Sequence, residues 1–228
     1  MTGGIVLAGG DEFRAGCEVM DAAVLQSTGQ DPPRVLIVPT AARRGAAKAA
    51  ANGVAYFSGL GAAAAELMVL DRQDADDPHL VAGAAGASLV YFTGGSPDHL
   101  LATLDGSRLL EQLRECMAAG AVVGGSSAGA MVMGSMMRVP SDGRWAPALG
   151  LAGGVAVLPH HETRDPERVA SELVSDAPAG LKVLGIDAGS GCFGSPGRWT
   201  VLGPGRVVLY EGGSWRAFHH RDLLPGHV

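Results

Sequence analysis

The chain has 228 residues, 47% of them hydrophobic and 18% charged, enough to bury a full core within a single domain spanning 1–228. A net charge of −6 and an aromatic content of 5% leave neither a basic stripe for phosphates nor a stacking platform for bases, so nucleic acid is not an expected partner. Cys17, Cys116 and Cys192 are odd in number and widely spaced, which fits neither a disulfide framework nor a zinc site and points to a reducing compartment.

Residues 1–10 lack a charged leader region, and no apolar stretch reaches membrane-spanning length, so a soluble, cytoplasmic protein is expected. Ile5–Ala8 is an apolar run closed by Gly9-Gly10, the pattern of a buried first strand and a tight turn. Gly9-Gly10-Asp11 lacks the spacing of a dinucleotide fingerprint, and its acidic neighbours would repel a pyrophosphate. Residues 14–27 carry Cys17, Met20, Val24 and Leu25 at near-helical spacing. Pro32-Pro33 breaks the chain before a second strand at Arg34–Val38. The alanine-rich stretch 40–59 reads as a helix, with Arg43, Arg44 and Lys48 on a solvated face. A third strand is expected at 66–70 and a polar solvent loop at 71–77. The aspartates of that loop lack the glycine and terminal glutamate of a calcium loop, so no metal is expected there.

The fourth strand, 87–92, ends in Thr93-Gly94-Gly95-Ser96-Pro97, a loop whose free amides suit Gly94 or Gly95 to donate to an oxyanion. Residues 107–119 form a periodic helix with Leu109, Leu110, Leu113, Cys116 and Met117 inward. It leads into a strand at 121–124 and then Gly125-Ser126-Ser127-Ala128-Gly129, with a helix over 128–137. A serine at the centre of Gly-x-Ser-x-Gly between strand and helix is the pattern of a nucleophile elbow, in which Ser127 stands exposed and the Ala128 amide faces the oxyanion. Strand and helix alternate through five strands. The expected fold is therefore α/β: a three-layer, mostly parallel sheet with helices on both faces. Gly94, Gly95 and Ser127 then lie beyond the carboxyl ends of its strands, where such sheets bind ligands.

Residues 138–150 have no clean period and read as a lid. Val155–Leu158 is another strand, ending in Pro159-His160-His161-Glu162-Thr163-Arg164, and one of the two histidines is the expected general base. Adjacent histidines on a strand point to opposite faces, which argues against their sharing a zinc ion. A helix at 167–174 and a strand at 183–186 follow. The turn-rich stretch after Trp199 reads as a C-terminal antiparallel hairpin at the sheet edge, with His219, His220 and His227 on the surface.

The order strand-Gly-Gly, Gly-Ser-Ser-Ala-Gly-Ala, strand-Pro-His and Gly-Ile-Asp resembles the aspartyl dipeptidase (peptidase E) and cyanophycinase family of serine peptidases, whose sheet is related to that of the class I glutamine amidotransferases. The match is best from about residue 90 to 191. The resemblance implies Ser127 as nucleophile, His160 as base, and the amides of Gly95 and Ala128 as the oxyanion hole. It further implies that Arg164 meets a substrate carboxylate. The family's orienting acid is a glutamate after Gly-Ile-Asp, and Ala188 stands in that place. Asp187 takes the role if the strand end bulges, with Asp142 and Glu162 as alternatives. The activity implied is hydrolysis of short peptides, above all Asp-X dipeptides, with no cofactor and no metal. The alternatives are a cyanophycinase-like β-aspartyl peptidase and a weak or inactive binding relative. Short peptides are the expected partners, without nucleic acid or membrane, of a chain that is a monomer or a homodimer.

Overall fold

The computed structural model describes residues 3–228; Met1 and Thr2, part of the stretch read above for a leader, lie outside the described residues. The first half runs β1 (Ile5–Ala8), α1 (Glu18–Ser27), β2 (Arg34–Val38), α2 (Ala46–Gly59), β3 (Ala63–Glu66), α3 (Arg72–Asp76), α4 (Pro78–Gly83), β4 (Leu89–Phe92), α5 (Pro97–Leu104), α6 (Arg108–Ala118) and β5 (Val122–Ser126). The second half runs α7 (Ala128–Met133), β6 (Met136–Arg138), β7 (Trp145–Pro147), β8 (Val155–Leu158), α8 (Pro166–Asp176), β9 (Lys182–Ile186), β10 (Gly191–Ser195), β11 (Arg198–Leu202), β12 (Val207–Glu211) and β13 (Ser214–Phe218).

A seven-stranded sheet in the order β11-β10-β1-β5-β4-β2-β3 forms the centre, parallel from β1 through β3 and closed on the other side by the antiparallel β10 and β11. Strand alternation sends Val6, Val35, Ile37, Leu89 and Tyr91 to one face, against Met20 and Val24 of α1 and Phe57 of α2. Ile5, Leu7, Leu36, Val90 and Phe92 go to the other, against α5, α6 and α7. This is the expected α/β sheet with helices on both faces.

A second sheet, β13-β12-β9-β8, shares the latter core through Val155, Val157, Leu184 and Ile186 and carries α8 on its far face. The expected C-terminal strands are therefore divided between two hairpins. One extends the central sheet beside β1, and the other extends the second sheet beside β9. Pairing over such sequence distances is decided by packing, which a local pattern does not encode.

Three other local expectations are corrected. The third strand is Ala63–Glu66, earlier than expected, because an alanine run serves as an edge strand when β2 supplies its only ladder. The acidic stretch at 71–77 is not a loop: Asp71 caps α3 and Asp77 caps α4 by accepting backbone amides, so the aspartates start helices. Residues 138–150 do not form a lid. They carry the β6–β7 ribbon, with Met137, Val139 and Leu149 buried and Arg138 paired to Asp176 of α8 at 2.6 Å. No helix among the described residues is long and apolar enough to cross a membrane.

Glycines set the closest approaches in the central sheet. A Cβ at Gly125 would lie 2.2 Å from the Phe92 carbonyl oxygen, whereas one at Gly59, the last residue of α2, would meet nothing within 4 Å. Gly125→Ala is expected to lower stability by about 1–3 kcal/mol or more, as overpacking does, and Gly59→Ala to leave it unchanged or raise it. Thermal denaturation of the two variants beside the wild type checks this pair.

Candidate active site

Ser127 sits between β5 and α7 with φ 49° and ψ −108°, a conformation that a residue with a side chain adopts only under strain. The surrounding glycines enforce it. A Cβ at Gly124 would stand 2.0 Å from the Val6 carbonyl oxygen, and one at Gly129 would stand 2.5 Å from that of Phe92. Strand and helix therefore pack against β1 and β4 at distances only glycine permits. The Ser127 amide donates to the Ala8 carbonyl at 3.0 Å and its carbonyl accepts from the Met131 amide at 2.9 Å, so both sides of the turn are tied down. Ser126 beside it is fully buried, while Ser127 is half-buried and faces a cleft.

That cleft, about 830 Å³, is lined by Glu12, Arg14, Asn52, Gly94, Ser127 and His160 among others. It opens at the carboxyl ends of β1, β4 and β5, as expected for a parallel sheet. A second cleft of about 860 Å³ lies at the amino ends of the strands, between Gly3, Arg34, Gly120 and Arg198. It holds no serine beside a histidine.

His160 follows β8 with φ 51°, its amide donating to the Gly9 carbonyl at 2.8 Å. Its ring lies over Gly10, where a Cβ would fall 2.1 Å from the ring's Cε1, so the glycine after β1 makes room for the base. Ser127 and His160 share the cleft without a hydrogen bond between them. Such bonds commonly tighten only when substrate arrives.

His161 points away from the cleft: after the left-handed turn at His160 its amide donates to the Ile186 carbonyl at 3.1 Å. It is buried, packs on Gly185 and shares a hydrogen bond with the Tyr210 hydroxyl at 2.8 Å. Burial, reinforced by the charges of Arg206 and Arg164, pushes it down to about 4, so it is neutral at physiological pH.

The acids separate along the same division. Asp187 faces His161, with Oδ1 at 3.9 Å from Nδ1, and its other oxygen accepts from the Arg206 amide at 3.0 Å. Burial raises its pKa. No hydrogen bond or ion pair joins it to His160 among the described residues, so the expectation that Asp187 orients that histidine is corrected: its partner is Arg206, whose Nε lies 3.7 Å from the same oxygen that the amide engages. Asp142 pairs with Arg144 at 3.0 Å in the β6–β7 turn, away from the cleft. Glu162 instead accepts from the Ala188 amide at 2.9 Å, bringing a carboxylate to the chain position after Gly-Ile-Asp. Partial burial works to raise its pKa, but that amide, its own amide and the charges of His160 and His161 outweigh it and hold the carboxyl below its ordinary value.

Gly95 has φ 142° and packs against the Ala41 carbonyl, where a Cβ would stand 2.1 Å from the oxygen. Its amide donates to no protein group among the described residues. Ala128 opens α7 and so has no helical carbonyl four residues back. Arg164 is exposed outside the cleft lining, and among the described residues it forms no ion pair. Arg14 lines the cleft in its stead, 3.8 Å from Asp11. Sequence reading missed this wall, the loop from Asp11 to Arg14. The signal was present, because Gly9-Gly10 ends a strand adjacent to β5.

Behind the wall, buried Asp21 accepts from the Tyr56 hydroxyl at 2.9 Å, and Tyr56 lines the cleft. Burial raises Asp21 to about 7 against the opposing Tyr56 bond, with Glu18 and Glu12 adding repulsion. Between about pH 4 and 7 the folded chain therefore keeps a proton that the unfolded chain releases. Stability from this group is lost as pH rises through that window, by at most about 1.4 kcal/mol per pH unit. Neutral His161 gives the opposite slope below about 6.5, so the Asp21 contribution is read as a difference. Asp21→Asn should gain in urea midpoint relative to wild type at pH 8 compared with pH 5; equal differences at the two pH values would contradict this.

The model of peptidase family S51 matches residues 5–195. Cyanophycinases of Synechococcus elongatus and of Thermosynechococcus vestitus are each 33% identical over 156 residues, covering 64% of this chain and 48% of theirs. The chain thus spans about half the length of the curated relatives it matches. The crystal structure of a peptidase from an acI-B1 Actinobacterium superposes with a TM-score of 0.85 at 26% identity, covering 99% of this chain and 97% of that one. A putative peptidase E from Listeria monocytogenes EGD-e superposes with a TM-score of 0.59 at 15% identity, covering 96% and 99%, and shares the fold.

Proposed function

The chain belongs to peptidase family S51, and from that premise we propose that it is a serine exopeptidase that hydrolyses short peptides through an acyl-enzyme on Ser127. The observation that carries the reading is the strained turn at Ser127, which presents its hydroxyl to the cleft it shares with His160. His160 takes the proton from Ser127 Oγ as that oxygen attacks the peptide carbonyl. The amides of Gly95 and Ala128 hold the oxyanion. Collapse expels the amine, which leaves with the proton from His160, and water then attacks the acyl-enzyme by the same base.

Glu162 is the proposed orienting acid, on the strength of its place two residues after His160 and its anchorage to the Ala188 amide, although among the described residues it, like Asp187, makes no hydrogen bond or ion pair with His160. The proposed substrates are Asp-X dipeptides. Within the cleft it is Arg14 that is placed to meet the aspartate side chain, in the role sequence reading gave to Arg164. A β-aspartyl peptide is the second reading, favoured by the likeness to the two cyanophycinases. A cytoplasmic setting is part of the proposal and rests on three buried cysteines that form no disulfide.

Amino-acid release from a panel of α-Asp-X dipeptides, β-Asp-Arg and Ala-X dipeptides tests the reading. Turnover of α-Asp-X by the wild type and none by Ser127→Ala is expected. Glu162→Gln should lower kcat by up to about 10⁴, the cost of losing a triad acid. Arg14→Ala should raise KM for Asp-X more than for Ala-X. Cleavage of β-Asp-Arg alone would move the assignment to the second reading. A folded wild type that turns over no member of the panel would contradict both and leave a binding protein.

A further inference from the structure

The cleft contains a carboxylate that the proposed reaction does not use. Glu12 Oε1 accepts from the Gly94 amide at 2.7 Å, a contact between residues 82 positions apart. The point where a Gly94 Cβ would sit is 3.0 and 3.3 Å from the two Glu12 oxygens and 3.4 Å from the Ser127 Cβ, so acid and nucleophile converge on one small volume. Resting on the reading of Ser127 as nucleophile, we propose that Glu12 receives the free α-ammonium group of the substrate and so restricts the site to peptides with an unblocked amino terminus.

The loop is built to hold the carboxylate in place. Asp11 and Phe13 flank it with φ of 56° and 66°, two side-chain-bearing residues in the left-handed region. Phe13 is packed against Tyr56 and Tyr91 with ring centroids 5.6 Å apart in each case, and Gly53 of α2 leaves the space its ring tip needs. The Cys17 thiol donates to the Asp11 carbonyl at 3.3 Å. Anchoring at both sides preorganises the acid, which lessens the entropy lost on binding a partner.

Glu12 has no cationic partner among the described residues, since Arg14, the neighbouring cation, pairs with Asp11. The hydrogen bond to Gly94 engages Oε1, and Oε2 has no hydrogen-bond partner among the described residues. The surrounding field has the matching sign, because Glu12 and Glu18 both add to the pKa of Cys17 and of Asp21. Reaction geometry supplies the last step. In a dipeptide the α-nitrogen lies about 2.5 Å from the carbonyl carbon of its own residue. When Ser127 attacks that carbon, the ammonium lies beside the nucleophile, close to the volume that Glu12 also borders.

The test uses the dipeptide that the wild type cleaves fastest in the panel above, its N-acetyl derivative, and the variants Glu12→Gln and Glu12→Asp. The wild type should prefer the free dipeptide, and Glu12→Gln should reduce kcat/KM on it about 10- to 100-fold, mostly through KM, the range of a charge-assisted hydrogen bond. The loss on the acetylated peptide should be far smaller, so the preference collapses, and Glu12→Asp should restore part of it. An equal loss on both peptides would overturn the proposal and assign Glu12 to holding the Gly94-Gly95 loop. A gain on both would overturn it too, marking the carboxylate as a block. Labelling of Ser127 by a fluorophosphonate in each protein separates the two readings. A labelled wild type that treats free and acetylated peptides alike defeats only the Glu12 assignment, whereas an unlabelled one defeats the serine peptidase reading and this proposal with it.

Discussion

Everything in the cleft depends on how closely the turn at Ser127 approaches the backbones beside it. Gly124, Gly125 and Gly129 lie against the carbonyls of Val6 and Phe92 at distances that admit no Cβ. The strand can therefore reach its end between β1 and β4, and the helix can start at once. The cost is a residue held at φ 49°, of the order of 1–3 kcal/mol. The return is a serine side chain that lines the cleft at the sheet's carboxyl edge.

The second requirement is met by a different layer of the molecule. His160 comes from the second sheet, and Gly10, at the end of the first strand of the central sheet, provides the gap its ring fills. Ser127 and His160 thus follow strands of two sheets that share one apolar core. Their relative position is set by packing among Leu7, Val155, Ile186 and their neighbours. The adjacent histidine is used differently: buried, neutral and bonded to Tyr210, it braces the second sheet from within.

The strand, tight turn and helix around Ser127 were legible in the sequence because strand, glycines, serine and helix are local and lie in order. The alternation of strand and helix, and hence the α/β sheet, was legible for the same reason. Other features were decided by contacts between distant residues. An alanine edge strand at β3 has no apolar period of its own, and its pairing with β2 makes it a strand. The β6–β7 ribbon contains Pro140 in its turn and Pro147 at its end, without the alternation that would mark it. The left-handed turn at His160 after β8 turns His161, rather than His160, toward Asp187, and no local pattern marks that turn. No spacing rule connects Glu12 with Gly94.

The central claim is that Ser127 is an activated nucleophile. It is tested most directly by brief exposure of the native protein to a fluorophosphonate, followed by intact-mass analysis and peptide mapping. One adduct per chain on Ser127 is expected, absent from Ser127→Ala and from the urea-unfolded wild type, where the turn and the cleft no longer exist. An unmodified native protein, or an adduct that persists in Ser127→Ala, would contradict the account.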